Sequence, residues 1–251
     1  EMLRSLVGSE MCIRDRQYIL FPKATRKAGY RHNKIVDFSN KYVKQLMIIA
    51  LPVIISSAAG EISIIVDNSM ASAFFGEESI AVLFYAKTML TLITGVITVS
   101  VTTALFPKIA EFGQSGKIEE MKSSISSSVV TTMLLVIPAT IGIMVLSNPV
   151  IELVYQRNAF TSEDTIAVAS MMVSYAPFII FQSITDVVDR GFYAVGDSKT
   201  PVIIVVIQQL INVILNAILI KFYGLNGIAY ATVISTIIGL SLIHISEPTR
   251  L

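Results

Sequence analysis

The sequence predicts an all-α fold, a polytopic membrane helix bundle of about six transmembrane helices. Two observations predict it. The 251 residues are 53% hydrophobic and 15% charged, with a mean hydropathy of +0.70, whereas soluble domains average about 45–50% and about 25%. The apolar residues also fall in runs of about 20, a length that needs lipid, rather than in the stripes of an amphipathic soluble helix. A formal net charge of +1 gives no global field for nucleic acid or an acidic partner. Charge has to be read locally.

The two ends read differently from the middle. LVGSEMCIRDR at 6–16 and LSLIHISEPTR at 240–250 both look like translated read-through of a sequencing adapter. One short stretch of DNA can encode the second run on one strand and the first on the other. The alternative is a natural basic leader and a natural tail. On the adapter reading the chain divides into a non-native leader at 1–16 and a basic cytoplasmic linker at 17–42. A six-helix transmembrane lobe follows at 43–239, then an adapter-derived tail at 240–251. Cys12 and His244 fall in the excluded runs, so the middle keeps His32 and no cysteine. That removes disulfides, thiolate chemistry and His/Cys metal sites.

The spans follow in order. The first covers about 43–67 and holds LMIIALPVIISSAAGEISIIV; the second covers about 80–106 and the third about 125–146. The fourth, about 166–187, contains SMMVSYAPFIIFQSI; a fifth covers about 201–220, and a sixth starts near 225. Each can cross about 30 Å of hydrocarbon at about 1.5 Å per residue. Pro52, Pro138 and Pro177 sit inside spans, where a proline frees a carbonyl and bends the helix.

Lys and Arg set the orientation. Lys23, Arg26, Lys27, Arg31, Lys34, Lys41 and Lys44 precede the first span. Lys108, Lys117 and Lys122 follow the second, and Arg190 and Lys199 follow the fourth. The opposite loops hold Glu77, Glu78, Arg157 and Lys221. Both ends of the lobe are therefore expected in the cytoplasm.

Ionisable groups at depth are costly in lipid and therefore informative. Glu61, Asp67 and Lys87 are the candidates. The first loop turns near Gly76, which places Asp67 about 14 Å and Lys87 about 16 Å below the turn. They can meet as an ion pair or line one cavity. Glu61 lies deeper and is expected to face the bundle interior or water. Asn212 and Asn216, spaced i,i+4, share a helical face, and Thr232 offers a hydroxyl on the last span. With Asp67 these form an oxygen-rich pocket suited to a small hard cation, Na⁺ above all. The alternative is that the asparagines join helices by hydrogen bonds. No nucleophile–base pair, phosphate-cradling glycine loop or metal-spaced carboxylate pair appears, which argues against an enzyme.

DRGFYAVGDSKTPV at 189–202 resembles the signature R-x-F-Y-A-x-x-D-x-K-T-P-V of the MurJ (MviN) family of lipid II flippases. Its matching positions are Arg190, Phe192, Tyr193, Asp197, Lys199 and Pro201. VDNSMAS at 66–72, Tyr85 and Ala86 with LFP at 105–107, NAFTSED at 158–164 and LNGIAYAT at 225–232 resemble further family motifs in the same order. In NAFTSED an asparagine, Asn158, stands where the family has glycine. The resemblance implies the second lobe of a two-lobe multidrug/oligosaccharidyl-lipid/polysaccharide exporter fold in a bacterial inner membrane. It also implies lipid II as substrate, the bilayer and the missing N-terminal lobe of the same chain as partners, and no nucleic acid. The substrate cavity would be lined by Lys87, Thr88 and Glu61, with Na⁺ as the possible coupling ion and no other cofactor. Two positions depart from the pattern. The family places its helix-eight cation where this chain has Thr88, and here the cation is Lys87, about 100° around the helix. Glu61 stands where relatives carry an uncharged polar residue. A polysaccharide (O-antigen-type) exporter of the same superfamily is the nearest alternative. A membrane-embedded cell-wall enzyme or a non-transporting scaffold is more remote.

Overall fold

The computed structural model describes residues 41–246. The leader at 1–16, residues 17–40 of the basic linker with His32, and residues 247–251 lie outside the described residues. The chain divides into two compact units, Glu1–Leu46 and Met47–Leu251. Of the first, only 41–46 are described, and they are helical. The second holds everything that follows.

Among the described residues there are seven helices. They are α1 (Lys41–Phe75), α2 (Glu78–Gln114), α3 (Ile118–Val145), α4 (Ser147–Tyr155), α5 (Ser162–Ala194), α6 (Lys199–Tyr223) and α7 (Asn226–Ser246). Six of them, all but α4, contain stretches long and apolar enough to cross a membrane. The shortest of these, Asn226–Ile245, has 20 residues, which at about 1.5 Å each matches about 30 Å of hydrocarbon.

The packing is that of a membrane bundle. Large apolar side chains cover the outside, with Val96, Leu134 and Val145 each at least 70% exposed, because acyl chains solvate them without cost. Small polar residues sit inside. Thr98 and Ser183 share a hydrogen bond of 2.7 Å between α2 and α5, and Ser128, Thr132, Thr140 and Thr236 are buried. In lipid, helices gain nothing from burying leucine against leucine, so close approach and polar pairing hold them together. α5 is the central post and packs on α2, α3, α4 and α7. It buries Met171, Met172, Tyr175, Ala176 and Ile179.

Most helices outrun the apolar windows that announced them. α2 continues through Pro107 to Gln114, and α5 runs on to Ala194. At this end Ile109, Met121, Ile125, Val187 and Ala194 form a satellite core. Polar residues end the hydropathy signal there, but one buried face is enough to keep the helices going. Gly191 makes the approach of α3 possible: a Cβ there would come within 2.6 Å of the Ile125 Cδ1. Residues 240–246, read as tail, continue α7, and Ile243 is buried beside Phe192 and Ile204. The run LSLIHIS is apolar enough to extend a helix whatever its origin. α4, which was not anticipated, is a nine-residue amphipathic helix that buries Ile151 and leaves Leu153 85% exposed.

Candidate functional site

The site is built from polar residues repeated every fourth position on facing helices, a spacing that keeps them on one face. α1 supplies Ser63 and Asp67, α6 supplies Gln208, Asn212 and Asn216, and α7 supplies Thr232 and Thr236. α2 contributes Lys87 and α5 contributes Tyr175. The turn after α1 brings Asp67 and Lys87 back to one depth. Gly76 there adopts φ 86°, a left-handed conformation that glycine takes freely.

The pair placed at one depth by counting does meet. The Lys87 Nζ donates to the Asp67 Oδ2 at 2.9 Å, and the same ammonium lies 5.3 Å from the centre of the Tyr175 ring. Asn216 Nδ2 donates to the other carboxylate oxygen, Oδ1, at 2.7 Å. Asn212 Oδ1 accepts from Asn216 Nδ2 and from Ser63 Oγ, both at 3.2 Å. Asn212 Nδ2 in turn donates to Thr232 Oγ1 at 3.2 Å, and Thr232 Oγ1 donates to the Ile228 carbonyl at 3.0 Å. The direction of this chain is fixed by its first link. Turned over, Asn216 would set its oxygen against a carboxylate. One acceptor is left over, because Asn216 Oδ1 is buried without a hydrogen-bond partner.

Burial differs across the ion pair. The Asp67 side chain is 4% exposed and that of Lys87 is 29% exposed, since Lys87 borders a cleft of about 460 Å³. Glu61, Gln182, Gln208 and Gln209 line the same cleft. Thr88 does not; it donates to the Phe84 carbonyl at 2.7 Å and lines a second groove with Asn68 and Phe84. The one-residue offset between Thr88 and Lys87 therefore turns the cation towards Asp67 in the lobe interior.

Asp67, Asn212, Asn216 and Thr232, expected together as a cation pocket, are brought together. As arranged they do not fit Na⁺. An ammonium and an amide N–H already occupy the two carboxylate oxygens. A second monovalent cation about 4 Å from the ammonium would meet about 4 kcal/mol of repulsion at an effective dielectric of about 20. That is about a thousandfold in affinity. Among the described residues no cluster of three or more His, Cys, Asp or Glu could hold a metal ion.

The sequence motifs resolve into structural devices. Asn158 adopts φ 55°, the left-handed conformation that glycine takes freely and asparagine tolerates best among the others. Thr161 and Asp164 form a capping box at the start of α5. The Asp164 carboxylate accepts from the Thr161 amide at 2.7 Å. Asp197 accepts from the amides of Lys199 and Thr200, both at 3.1 Å, so it caps the first turn of α6. Arg190 lies over the Phe106 ring at 5.8 Å. Phe192 and Pro201 are buried, Tyr193 is half-buried and Lys199 is exposed. Tyr85 packs on Tyr155 at 4.6 Å and Phe160 at 5.5 Å, anchoring α2 to the α4–α5 turn. Ser63, Gln208, Thr236 and Tyr175 were missed as parts of the site. Gln208 and Ser63 carried a usable signal, each lying four residues from a residue that was chosen.

The profile of the family described as Lipid II flippase MurJ matches residues 17–248. The chain belongs to this family. MurJ proteins are transporters of the multidrug/oligosaccharidyl-lipid/polysaccharide superfamily rather than enzymes. The chain is similar to a Rhizobium meliloti protein named "Probable lipid II flippase MurJ". The two are 29% identical over 216 residues, covering 84% of this chain and 39% of that protein. A solved structure titled "Lipid II flippase MurJ, inward closed conformation" superposes with a TM-score of 0.72 at 28% identity. That match covers 88% of this chain and 46% of the other. A MATE transporter in complex with MaL6 superposes with a TM-score of 0.76 at 16% identity, covering 84% and 47%, which shows the shared fold. The chain thus spans less than half the length of these relatives, and its six spans match half of the MurJ/MATE fold.

Proposed function

We propose that this chain is one lobe of a lipid II flippase. It would help carry an undecaprenyl-pyrophosphate-linked peptidoglycan precursor from the cytoplasmic to the periplasmic leaflet of the inner membrane. The observation that carries the reading is the family match over residues 17–248 on a six-span bundle.

The physical problem is the headgroup. A pyrophosphate bearing sugars and a peptide cannot enter hydrocarbon unaided, whereas its polyprenyl tail can stay in lipid. A passage must therefore be wet and polar, and two lobes that rock about it expose it to each side in turn. This lobe supplies polar lining at depth: Glu61, Gln182, Gln208 and Gln209 face one cleft with Lys87. Lys108, Lys117 and Lys122 around the α2–α3 turn, and Arg190 and Lys199 around the α5–α6 turn, support a cytoplasmic position for both ends of the lobe. The direct test is depletion of the full-length protein in cells without a redundant flippase, followed by a leaflet-accessibility assay. Loss of lipid II from the outer leaflet supports the proposal, and undiminished outer-leaflet lipid II refutes it.

One observation favours a second reading, an exporter of another polyprenyl-linked glycan. Thr88 stands where the family cation is expected, and Lys87 is turned onto Asp67. Purified full-length protein that binds an O-antigen-type lipid in preference to lipid II would establish that alternative.

A further inference from the structure

We propose that the Lys87 ammonium is a built-in cation: it occupies the place in the Asp67–Asn212–Asn216–Thr232 cluster that an exchangeable monovalent ion would take. The lobe then closes without sodium. This goes beyond the transported substrate and holds whichever lipid-linked molecule the full-length protein carries.

Four features of the cluster carry the inference. A carboxylate 4% exposed within a membrane span needs one positive charge beside it. Lys87 supplies that charge at 2.9 Å, on a stem rooted in the neighbouring helix and held over the Tyr175 ring. The oxygens around Asp67 form the ligand set of a hard cation, yet their hydrogen bonds run inward to one another. Finally, Asn216 Oδ1 is buried and unpartnered, so the cluster keeps an unused oxygen that an inorganic ion could take if the ammonium were removed. With Lys87 in place, a second cation is disfavoured about a thousandfold. A tethered charge also changes what the cluster can do. It cannot leave for bulk water, but its stem borders the cleft, so it can swing away from Asp67 and return. Ion release is replaced by side-chain movement.

The test measures binding rather than transport, so it stands or falls separately from the lipid II reading. Purified full-length protein is melted in sodium, potassium and choline chloride at equal ionic strength. The wild type is expected to show no sodium-specific shift. Lys87→Met is expected to gain a sodium-specific rise in melting temperature that saturates with concentration, as linkage requires. Asp67→Asn added to Lys87→Met is expected to erase it. A saturable sodium-specific shift in the wild type, lost in Asp67→Asn, overturns the proposal. So does a folded Lys87→Met that ignores sodium. Should Lys87→Met not fold in any salt, equilibrium binding of radioactive sodium to the wild type decides: none supports the built-in cation, saturable binding contradicts it.

Discussion

Replacing Lys87 with methionine keeps most of the stem and removes the charge. The Asp67 carboxylate, 4% exposed, is then left with the Asn216 amide on one oxygen and nothing on the other. Breaking a buried pair by removing one partner costs about 3–5 kcal/mol, because the remaining charge is uncompensated. The opposite change is milder. In Asp67→Asn the freed ammonium can turn into the cleft, where it is already 29% exposed. The loss is then close to one charge-assisted hydrogen bond, about 1.5–3 kcal/mol. Removing both partners leaves no orphan charge, so the double variant should be more stable than Lys87→Met alone, which requires a coupling larger than the Asp67→Asn loss, about 3 kcal/mol. The assay is a double-mutant cycle on the full-length protein in detergent, in potassium buffer so that no sodium can fill the vacated place. Additive effects, or Asp67→Asn costing more than Lys87→Met, would refute this reasoning.

Other expectations are simpler. Asn158→Ala places a Cβ-bearing residue at φ 55° without asparagine's tolerance, and a loss of about 1 kcal/mol is expected, while Asn158→Gly is neutral; thermal melts of both variants check it. Gly227→Ala directs its methyl into the backbone carbonyl of Leu219, whereas Gly191→Ala meets only the flexible end of Ile125. The first should cost about 1–3 kcal/mol and the second less, with Ile125→Val relieving the second in a melt of the double variant. For transport, Lys87→Ala should impair flipping more than Thr88→Ala in a leaflet-accessibility assay. The reverse order would mean that the charge on Lys87 is dispensable.

The long apolar runs made the six spans legible, because crossing lipid is a matter of length and hydropathy. Their ends were not legible. At Ile109 and Phe192 burial of a single face sustains a helix through polar sequence, and α4 at Ser147–Tyr155 is too short and mixed to announce itself. In the site, depth counting from Gly76 brought Asp67 and Lys87 together, and i,i+4 spacing paired Asn212 with Asn216. The direction of each hydrogen bond was beyond reach, since only the tertiary partner decides whether an asparagine offers its oxygen or its nitrogen. That is why the sequence left the cluster open between an ion pocket and asparagines joining helices, where the fold shows a hydrogen-bonded network with Lys87 on Asp67. The family motifs marked Asp197, Thr161 and Tyr85 without a role; in the fold the first two cap helices and the third anchors α2 to the α4–α5 turn.

The central claim is that these helices cross the bilayer with a wet polar cleft on the inside and lipid on the outside. Single cysteines placed one at a time in the full-length protein, after its own cysteines have been replaced, test it most directly. In native membranes, Glu61→Cys and Gln209→Cys, which line the cleft, should react with a water-soluble thiol reagent. Val96→Cys and Leu134→Cys, at positions 70% exposed on the outer face, should not. Ready labelling of the outer pair with a silent cleft pair would contradict the account.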